Sequence, residues 1–446
     1  MPIRPTVFAL SLLSAALLAG CADGGSSTTH TPGAVPVTPQ GTVAAVQAST
    51  GRSAHSGVRR TLSVPTCSGT GVGAFRGGAG GNGGLGDNPN VAAGQFSVVG
   101  GGSGNQGCDG WSSIAGGYDN AVSGSGEDGF IGAGEGNVVT GSDNDSLVVG
   151  GNGNQVSNAV SSIVGGVSNT VSIDNGFIGG GSNNNVSGEF GAIAGGLHNT
   201  VSGEGGYIAA GGYNTASGEG ALVDGGFNST ASGTFSTIPG GYANLAGGTY
   251  SFAAGARASA AQTGTFVWSD GSDGDTMLAS ARAYEFLARA SGGVTFWTNA
   301  ASTVGATLAP GSGTWASASD RNLKTDVARI DDAAVLDKVA ALPIERWSYK
   351  SERGVRHVGP MAQDFYAAFG VGEDDKHITS IDEDGVALAA IKALHAENGA
   401  LHTHVSALDA ENAQLRAASA SQSARIAAMQ VQLQHLSAQI GTLHER

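Results

Sequence analysis

The chain carries a repeated pattern of aliphatic, glycine and asparagine positions between residues 99 and 258. Each copy has an aliphatic residue, a small residue, a glycine-rich pair, two variable residues and usually Asn, as in AIAGGLHNTVSG. The aliphatic positions are Val99, Ile114, Ile131, Val148, Ile163, Ile178, Ile193, Ile208, Leu222, Ile238 and Phe252. The asparagines, spaced by 14 to 17 residues, are Asn105, Asn120, Asn137, Asn154, Asn169, Asn184, Asn199, Asn214, Asn228 and Asn244. This period is too short for a helical hairpin, and it predicts one β-solenoid coil of two short strands and two tight turns.

The residue types suit such a coil. Aliphatic side chains would stack inward, and small Ala, Val and Ser residues would alternate with them, as the period of two in a strand requires. Glycine supplies positive φ at the corners, and Asn tolerates the left-handed region while its amide bonds local backbone groups. The 76 Gly are accompanied by only 11 Pro without a three-residue period, which excludes collagen.

The repeats resemble the head domains of trimeric autotransporter adhesins. In that family three chains each form a left-handed β-roll around a shared apolar axis. The resemblance covers residues 99–258 and implies that this chain is a homotrimer.

A heptad pattern runs through residues 391–446. The a positions are Ile391, Asn398, Val405, Asn412, Ser419, Ile426, Leu433 and Ile440. The d positions are Leu394, Leu401, Leu408, Leu415, Gln422, Met429, Leu436 and Leu443. Such unbroken heptads predict a coiled coil, in which the asparagines at a positions fix the register.

Residues 316–390 have the composition of a globular domain, with a helix-like VLDKVAAL and a strand-like IERWSYK. The strings SASDRNLKTDVARI, LPIERWSYK, VRHVGPMAQDFYAAF and ALAAIKAL follow one another in this region. In order and spacing they resemble the intramolecular chaperone of endosialidase and other phage tail-spike proteins, which is classed as a serine peptidase that acts on itself. The predicted fold class is therefore mainly β: a trimeric left-handed parallel β-roll rod, a small α+β chaperone domain and a C-terminal coiled coil.

The resemblance assigns roles to individual residues. Ser319, Asp320 and Lys324 match the family motif, with Ser319 as nucleophile, Lys324 as its base and scission between Ala318 and Ser319. The family's second motif falls on His357, Gly359 and Gln363, although Pro360 and Met361 replace the usual aromatic-aliphatic pair.

The chemistry is plausible because a serine hydroxyl needs a neighbouring base, and lysine serves when burial or nearby charge lowers its pKa. The expected enzyme is a single-turnover autoprotease without activity on external substrates. The alternative is that Ser319 or Asp320 caps a helix and Lys324 is a solvated charge.

The sequence of the N-terminal region predicts that the chain is exported. Residues 1–20 read as a signal peptide, and the sequence LAGC resembles the lipobox of bacterial lipoproteins, with Cys21 as the acylated residue. Residues 21–60 have the composition of a flexible tether, and residues 61–98 form a connector of uncertain structure. In an oxidising compartment, Cys67 and Cys108 are candidates for a disulfide, within one chain or between chains. The expected location is the bacterial outer membrane or cell surface, with the lipid as anchor.

Residues 259–315 predict a β-rich neck. Its aromatic residues could form a sugar-binding platform or simply pack within the trimer; they are Phe266, Trp268, Phe286, Phe296 and Trp297. The net charge of −15, without a basic cluster, argues against a nucleic-acid partner. No cofactor or metal site is expected, although Asp-rich turns such as GSDGD could bind Ca²⁺ weakly.

The amino-acid sequence leaves three functions open. The first is a surface adhesin or interaction protein, which contacts a host or matrix ligand. The second is a phage-derived, tail-fibre-like protein that binds or processes glycans. The third is a structural envelope spacer without a ligand.

Overall fold

Two long parallel sheets dominate the structure, a computed structural model that describes residues 67–77, 89–124, 126–141, 145–352 and 354–444. Within these residues sheet A contains strands Phe75–Arg76, Val98–Val99, Ser113–Ile114, Phe130–Ile131, Leu147–Val148, Ser162–Ile163, Phe177–Ile178, Ala192–Ile193, Tyr207–Ile208, Leu222–Val223, Thr237–Ile238, Phe252–Ala256, Phe266–Asp270 and Phe286–Arg289. Sheet B contains Val91–Ala92, Gln106–Gly107, Ala121–Val122, Val138–Val139, Gln155–Val156, Thr170–Val171, Asn185–Val186, Thr200–Val201, Thr215–Ala216, Thr230–Ala231, Leu245–Ala246, Ala258–Ala260 and Leu278–Ala279. The chain alternates between the two sheets, so each coil contributes one strand to each.

The core lies between the two sheets. In sheet A, Ile163, Ile178 and Ile193 pair in register and are fully buried. Sheet B supplies a matching file, in which Val171 and Val186 are equally inaccessible. The second residue of each short strand therefore points inward, as strand alternation requires. The prediction of a mainly β parallel solenoid, followed by a small α/β region and a C-terminal helix, is confirmed.

Two predicted inward positions are wrong by one residue. Leu222 and Phe252 are the outward, partly exposed members of their strands, and Val223 and Ala253 are the fully buried ones. In both strands two apolar residues are adjacent, so the sequence pattern offers either as the core residue. Pairing in register with neighbouring coils decides between them.

A file of buried asparagines runs along the corner that precedes sheet B. The Asn184 amide nitrogen donates to the Gly180 and Gly196 carbonyl oxygens, both at 3.0 Å. Its side-chain oxygen accepts a hydrogen bond from the Asn199 backbone N–H at 3.0 Å. The predicted bonding of the amide to backbone groups is thus present, and it also links successive coils.

The expected left-handed conformation of these asparagines is wrong. It belongs to the residue before each one, such as Asn183 with φ of 56° and His198 with φ of 54°. The predicted position Asn228 is such a residue, with φ of 57°, and the buried member of the file in that coil is Ser229. In this coil the Asn lies one residue before the buried position. The spacing of Asn in the sequence does not reveal this, because Asn228 and Ser229 are adjacent.

Replacing Ser229 with Asn should complete the file and stabilise the solenoid. The Ser229 hydroxyl now makes a bond of 3.4 Å to the Phe227 carbonyl oxygen and accepts one of 3.3 Å from the Asn244 backbone N–H. By analogy with the other coils, an Asn amide would reach the Gly225 and Gly241 carbonyl oxygens. We expect the variant to gain about 1 kcal/mol in the free energy of unfolding, measured by guanidinium denaturation. An unchanged or lower midpoint would mean that this coil cannot accept the larger side chain.

The boundaries of the solenoid differ from the predicted ones. Parallel pairing includes strands inside the predicted connector of residues 61–98, and it continues to Arg289, inside the predicted neck of residues 259–315. Within the described part of the predicted neck, residues 294–315 leave the solenoid; with Ala316 and Ser317 they form an antiparallel sheet of strands Val294–Trp297, Gly305–Leu308 and Trp315–Ser317. The longer, aromatic strands after residue 251 conceal the repeat in the sequence but keep the same pairing.

The neck aromatics fall into two groups. Phe252, Phe266 and Phe286 are stacked on sheet A with ring centroids 4.7 Å apart, so they continue the solenoid ladder. Phe296 packs near Trp315 on the antiparallel sheet, at 5.8 Å between ring centroids.

The last coils are held by an Asp-rich turn. Asp273 and Asp275 form ion pairs with Arg289 and Arg257, so arginines already neutralise the carboxylates of the GSDGD segment. Hydrogen bonds from the Ser291 hydroxyl and backbone N–H, both at 2.6 Å, hold the pKa of Asp270 below its usual range. The described residues contain no group of three or more His, Cys, Asp or Glu side chains that could hold a metal ion.

Two of the three cysteines lie at the start of the solenoid. Cys67 and Cys108 form an intrachain disulfide, with their Cα atoms 5.8 Å apart. Cys21 and the predicted signal peptide lie outside the described residues.

In the described residues after the antiparallel sheet there are three α-helices: α1 at Asp332–Ala341, α2 at Ala362–Phe369 and α3 at Ser380–His444. Helix α3 therefore begins inside the predicted chaperone segment of residues 316–390, before the first heptad position. It packs on α1 through small residues such as Ala389 and Ala393, which are 6% exposed. No helix in the described part of the chain has both the length and the apolar character of a bilayer span.

Candidate self-cleavage site

The antiparallel sheet anchors the chain immediately before the predicted scissile bond. Strand Trp315–Ser317 pairs with Gly305–Leu308, and the Ala318 backbone N–H extends this pairing by donating to the Gly305 carbonyl oxygen at 3.1 Å. The acyl side of the bond is therefore held in a fixed position.

A short turn brings the predicted nucleophile and base together. Residues Arg321–Leu323 form a 3₁₀ helix, which reverses the chain so that Lys324 returns to Ser319. The Lys324 Nζ atom lies 2.6 Å from the Ser319 Oγ atom and donates a hydrogen bond to it. The two residues of the predicted dyad are thus in direct contact, although both are exposed in the single chain.

Asp320 caps the turn that separates Ser319 from Lys324. Its Oδ1 atom accepts from the Asn322 backbone N–H at 2.9 Å and from the Asn322 amide at 3.1 Å. Asp is favoured at this position because its short side chain accepts hydrogen bonds from the free backbone N–H groups at the start of a helix. The capping alternative therefore describes Asp320 correctly, and its geometry supports the contact between Ser319 and Lys324.

The second predicted motif forms its own cluster. Strand His357–Gly359 pairs antiparallel with Glu345–Trp347, which places His357 opposite Trp347 and Gly359 opposite Glu345. The His357 ring centroid lies 4.7 Å from that of Trp347.

Two further residues surround the His357 ring. Tyr349 lies 5.7 Å from it between ring centroids, and the Glu352 Oε2 atom is 3.4 Å from Nε2. Trp347, Tyr349 and Glu352 were not predicted from the sequence as neighbours of the histidine. The sequence signal that could have indicated two of them is the alternation in IERWSYK, which places Trp347 and Tyr349 on the same face of a strand.

Gln363 lies in the first turn of α2, and no hydrogen bond in the described chain joins it or His357 to Ser319 or Lys324. The described chain therefore brings together Ala318, Ser319, Asp320 and Lys324. His357 and Gly359 of the second motif pair instead with the strand Glu345–Trp347. This arrangement allows one kind of chemistry. The Ser319 hydroxyl, paired with Lys324, can attack the carbonyl carbon of the preceding peptide bond.

These features define the class: a small α/β module that follows a parallel β-solenoid and begins with a serine-lysine pair. The family model described as chaperone of endosialidase matches residues 319–370, so the match begins at Ser319. The predicted chaperone domain behind a β-roll is confirmed in this form. A search of curated proteins found no match.

Proposed function

We propose that this chain is a homotrimeric surface rod, assembled by its C-terminal module, which then cleaves the chain between Ala318 and Ser319. The observation that carries the proposal is the contact of 2.6 Å between Lys324 Nζ and Ser319 Oγ, at the first residue of the chaperone-family match. The anchoring of Ala318 on the sheet supports it, because the acyl group and the nucleophile are then both fixed.

The reaction needs one attack and one hydrolysis. Lys324, in its neutral form, accepts the Ser319 hydroxyl proton as Oγ bonds to the Ala318 carbonyl carbon. The bond from that carbon to the Ser319 nitrogen breaks, and the nitrogen takes the proton, which leaves an ester between Ala318 and the Ser319 side chain. Water then hydrolyses the ester to a carboxylate on Ala318 and a free hydroxyl on Ser319. The products are two chains, and each module reacts only once because its substrate is a bond in its own chain.

Helix α3 supports assembly because its apolar seam has no cover in the described chain. Leu394, Leu401, Leu408 and Leu415, all at d positions, are 43% to 61% exposed. A helix of 65 residues with this seam gains most of its stability when equivalent helices pack their seams together. The number three comes from the resemblance to the two trimeric families.

The solenoid also presents one apolar and one polar outer surface. Outward positions of sheet A include Phe130, Phe177 and Tyr207, each 38% to 40% exposed. The equivalent positions of sheet B are mostly polar, as at Gln155 and Thr200. We therefore assign the outer surface of sheet A to contact between copies, because burying it removes the larger apolar area from water.

The order of assembly follows from which contacts can align the chains. The strands of the solenoid pair within each chain, about 15 residues apart, so this pairing does not align one chain with another. A heptad seam can set that alignment, because its repeated apolar positions fix the register between helices. Association of α3 first would set the register of the solenoids, and cleavage would then remove the helices. The remaining trimer would be kinetically stable, since the segment that aligned its chains is gone.

The proposed location of the trimer is the outer membrane. Acylation of Cys21 would attach the trimer to the outer membrane, with residues 21–60 as a tether and the solenoid exposed to a ligand on a host, a matrix or a neighbouring cell. The lipobox-like LAGC sequence supports this anchoring.

Intact mass and denaturing gels of four proteins test the cleavage: wild type, Ser319→Ala, Lys324→Ala and the neighbouring control Ser317→Ala. We expect wild type and Ser317→Ala to yield a fragment that begins at Ser319, and the other two to remain full length. Size-exclusion chromatography of the uncleaved variants should still give trimers, which separates loss of chemistry from loss of folding. A full-length wild-type chain, or cleavage that persists in Ser319→Ala, would refute the self-cleavage mechanism.

A further inference from the structure

The outer surface of sheet B carries two regular files of small polar side chains. One file is Thr170, Asn185, Thr200, Thr215 and Thr230, which pair in register from coil to coil. The second file, two residues further along each coil, is Ser172, Ser187, Ser202, Ser217 and Ser232, and all five are exposed. We call these ten residues the polar files. They repeat at the separation of parallel strands, about 4.8 Å.

The polar files are available to a ligand. Within the described residues, the side-chain hydroxyls of Thr200, Thr215 and Thr230 take part in no hydrogen bond to the protein. None of the ten residues carries a charge. A surface of this kind offers hydroxyl and amide groups at fixed intervals along the solenoid axis.

A row of aromatic side chains borders these files at the preceding corner. It comprises His198, Tyr213, Phe227 and Tyr242, with neighbouring ring centroids 4.9, 5.2 and 6.2 Å apart. We call these four residues the aromatic row. Its last three members are 44% to 48% exposed, so nearly half of each side chain remains accessible.

The aromatic row is built into the backbone of the corner. Tyr213 precedes the buried Asn214 and the outward Thr215, so one coil supplies both the ring and the hydroxyl beside it. The Phe227 ring occupies the space over Gly212, where an added Cβ would lie 3.2 Å from it. The Arg257 guanidinium covers the Tyr242 ring at 5.1 Å and is itself paired with Asp275, so it closes the row without an unpaired positive charge.

We propose that the polar files and the aromatic row together bind a linear, uncharged polysaccharide that lies along the solenoid axis. A sugar chain presents apolar C–H patches and hydroxyl groups in a linear repeat, which matches a surface that repeats rings and hydroxyls in one direction. The net charge of −15 and the absence of basic residues from the polar files select against an anionic polymer. This inference adds a binding site to the proposed rod and is independent of the cleavage step.

Affinity electrophoresis of the purified full-length protein tests the site. The gels contain a neutral linear polysaccharide, such as hydroxyethyl cellulose, mixed-linkage β-glucan or galactomannan, and alginate serves as the anionic comparison. One double variant, Tyr213→Ala with Tyr242→Ala, removes rings from the row. A second, Thr200→Val with Thr215→Val, removes two hydroxyls while it keeps the shape and strand preference of the side chains.

The solenoid supplies a matched control. Phe235 and Tyr250 are stacked on the other corner of the coils, 5.8 Å apart between centroids and 51% and 66% exposed. The double variant Phe235→Ala with Tyr250→Ala removes a similar exposed aromatic area from the same part of the chain. It should bind the polysaccharide as wild type does.

We expect retardation of wild type by at least one neutral polysaccharide. Loss of the apolar contact of two rings should make binding about 10- to 100-fold weaker in the Tyr213→Ala, Tyr242→Ala variant. The Thr→Val pair should weaken binding to a smaller extent. Absence of retardation in every neutral gel, stronger retardation by alginate, or equal loss in the Phe235→Ala, Tyr250→Ala control would overturn the proposal. A smaller oligomer in the Tyr213→Ala, Tyr242→Ala variant would also overturn it, since the row would then belong to the contact between copies.

Discussion

Replacing Asn184 with Asp should destabilise the solenoid by about 3–5 kcal/mol per chain, the usual effect of an uncompensated buried charge. Asn184 is 1% exposed, and its amide nitrogen faces three oxygen atoms, those of Gly180, Gly196 and Asn169, at 3.0 to 3.1 Å. A carboxylate oxygen in that position would confront three acceptors without a proton to share. Burial would also raise the pKa of the new carboxyl group, so part of the loss should be recovered at low pH, where that group is protonated.

The adjacent residue gives the control for this substitution. Asn183 is exposed, has a left-handed backbone, and its amide bonds only the Ser182 hydroxyl, at 2.8 Å. Asn183→Asp introduces the same charge one residue away and should change the free energy of unfolding by no more than about 0.5 kcal/mol. Guanidinium denaturation of both variants at neutral and low pH checks the pair. Equal stability of the two variants would show that the buried file does not hold the coils together.

Replacing Leu401 and Leu408 with Asp should abolish assembly. Both are d positions on the uncovered seam of α3, with 58% and 43% exposure in the single chain. Each substitution removes an apolar side chain worth about 2–5 kcal/mol when packed in a core and sets like charges against one another in the trimer. We expect light scattering to find monomers or aggregates, and we expect the Ala318–Ser319 bond to remain intact because the module has not assembled.

The control for the seam lies on the opposite side of the same helix. Thr403 and Ala410 occupy f positions of the same heptads, and both are exposed. Thr403→Asp with Ala410→Asp adds the same charge and should leave the trimer and the cleavage unchanged. If the Leu401→Asp, Leu408→Asp protein remained a trimer as well, the helix would not be the element that gathers the chains.

The two experiments address different stages. The asparagine file acts within each chain and determines how stable the finished solenoid is. In the proposed trimer, the seam of α3 would act between chains and determine whether the solenoids meet in register. A protein with a damaged file should therefore still assemble and cleave at low temperature, whereas a protein with a damaged seam should do neither.

Much of this architecture could be predicted from local sequence. A coil of the solenoid is about 15 residues long and repeats its turns, so each copy in the sequence reports the same structure. The part of helix α3 from Ile391 onward follows from a heptad pattern that needs no other part of the chain. The contact between Ser319 and Lys324 was equally accessible, because a capped turn of a few residues connects them.

Other features depend on which residues meet across coils. Asn228 and Ser229 both suit a turn, as Leu222 and Val223 both suit a strand, and only pairing with the neighbouring coils places Ser229 and Val223 inside. A shift of one residue exchanges the inner and outer faces of a strand, so a local pattern with two adjacent candidates cannot choose between them. The continuation of the solenoid to Arg289 was hidden for a related reason: the repeat disappears from the sequence while the parallel pairing continues.

The sequence by itself determined the repeat, the terminal helix and the short separation of Ser319 from Lys324, because each is encoded within a few turns of chain. The tertiary structure alone decided which residue of each coil is buried, and it set the alignment of the polar files with the aromatic row. It also packed the His357 ring against Trp347 and Tyr349. Those features arise from contacts between residues distant in the sequence, whose positions are fixed only when successive coils and strands pair.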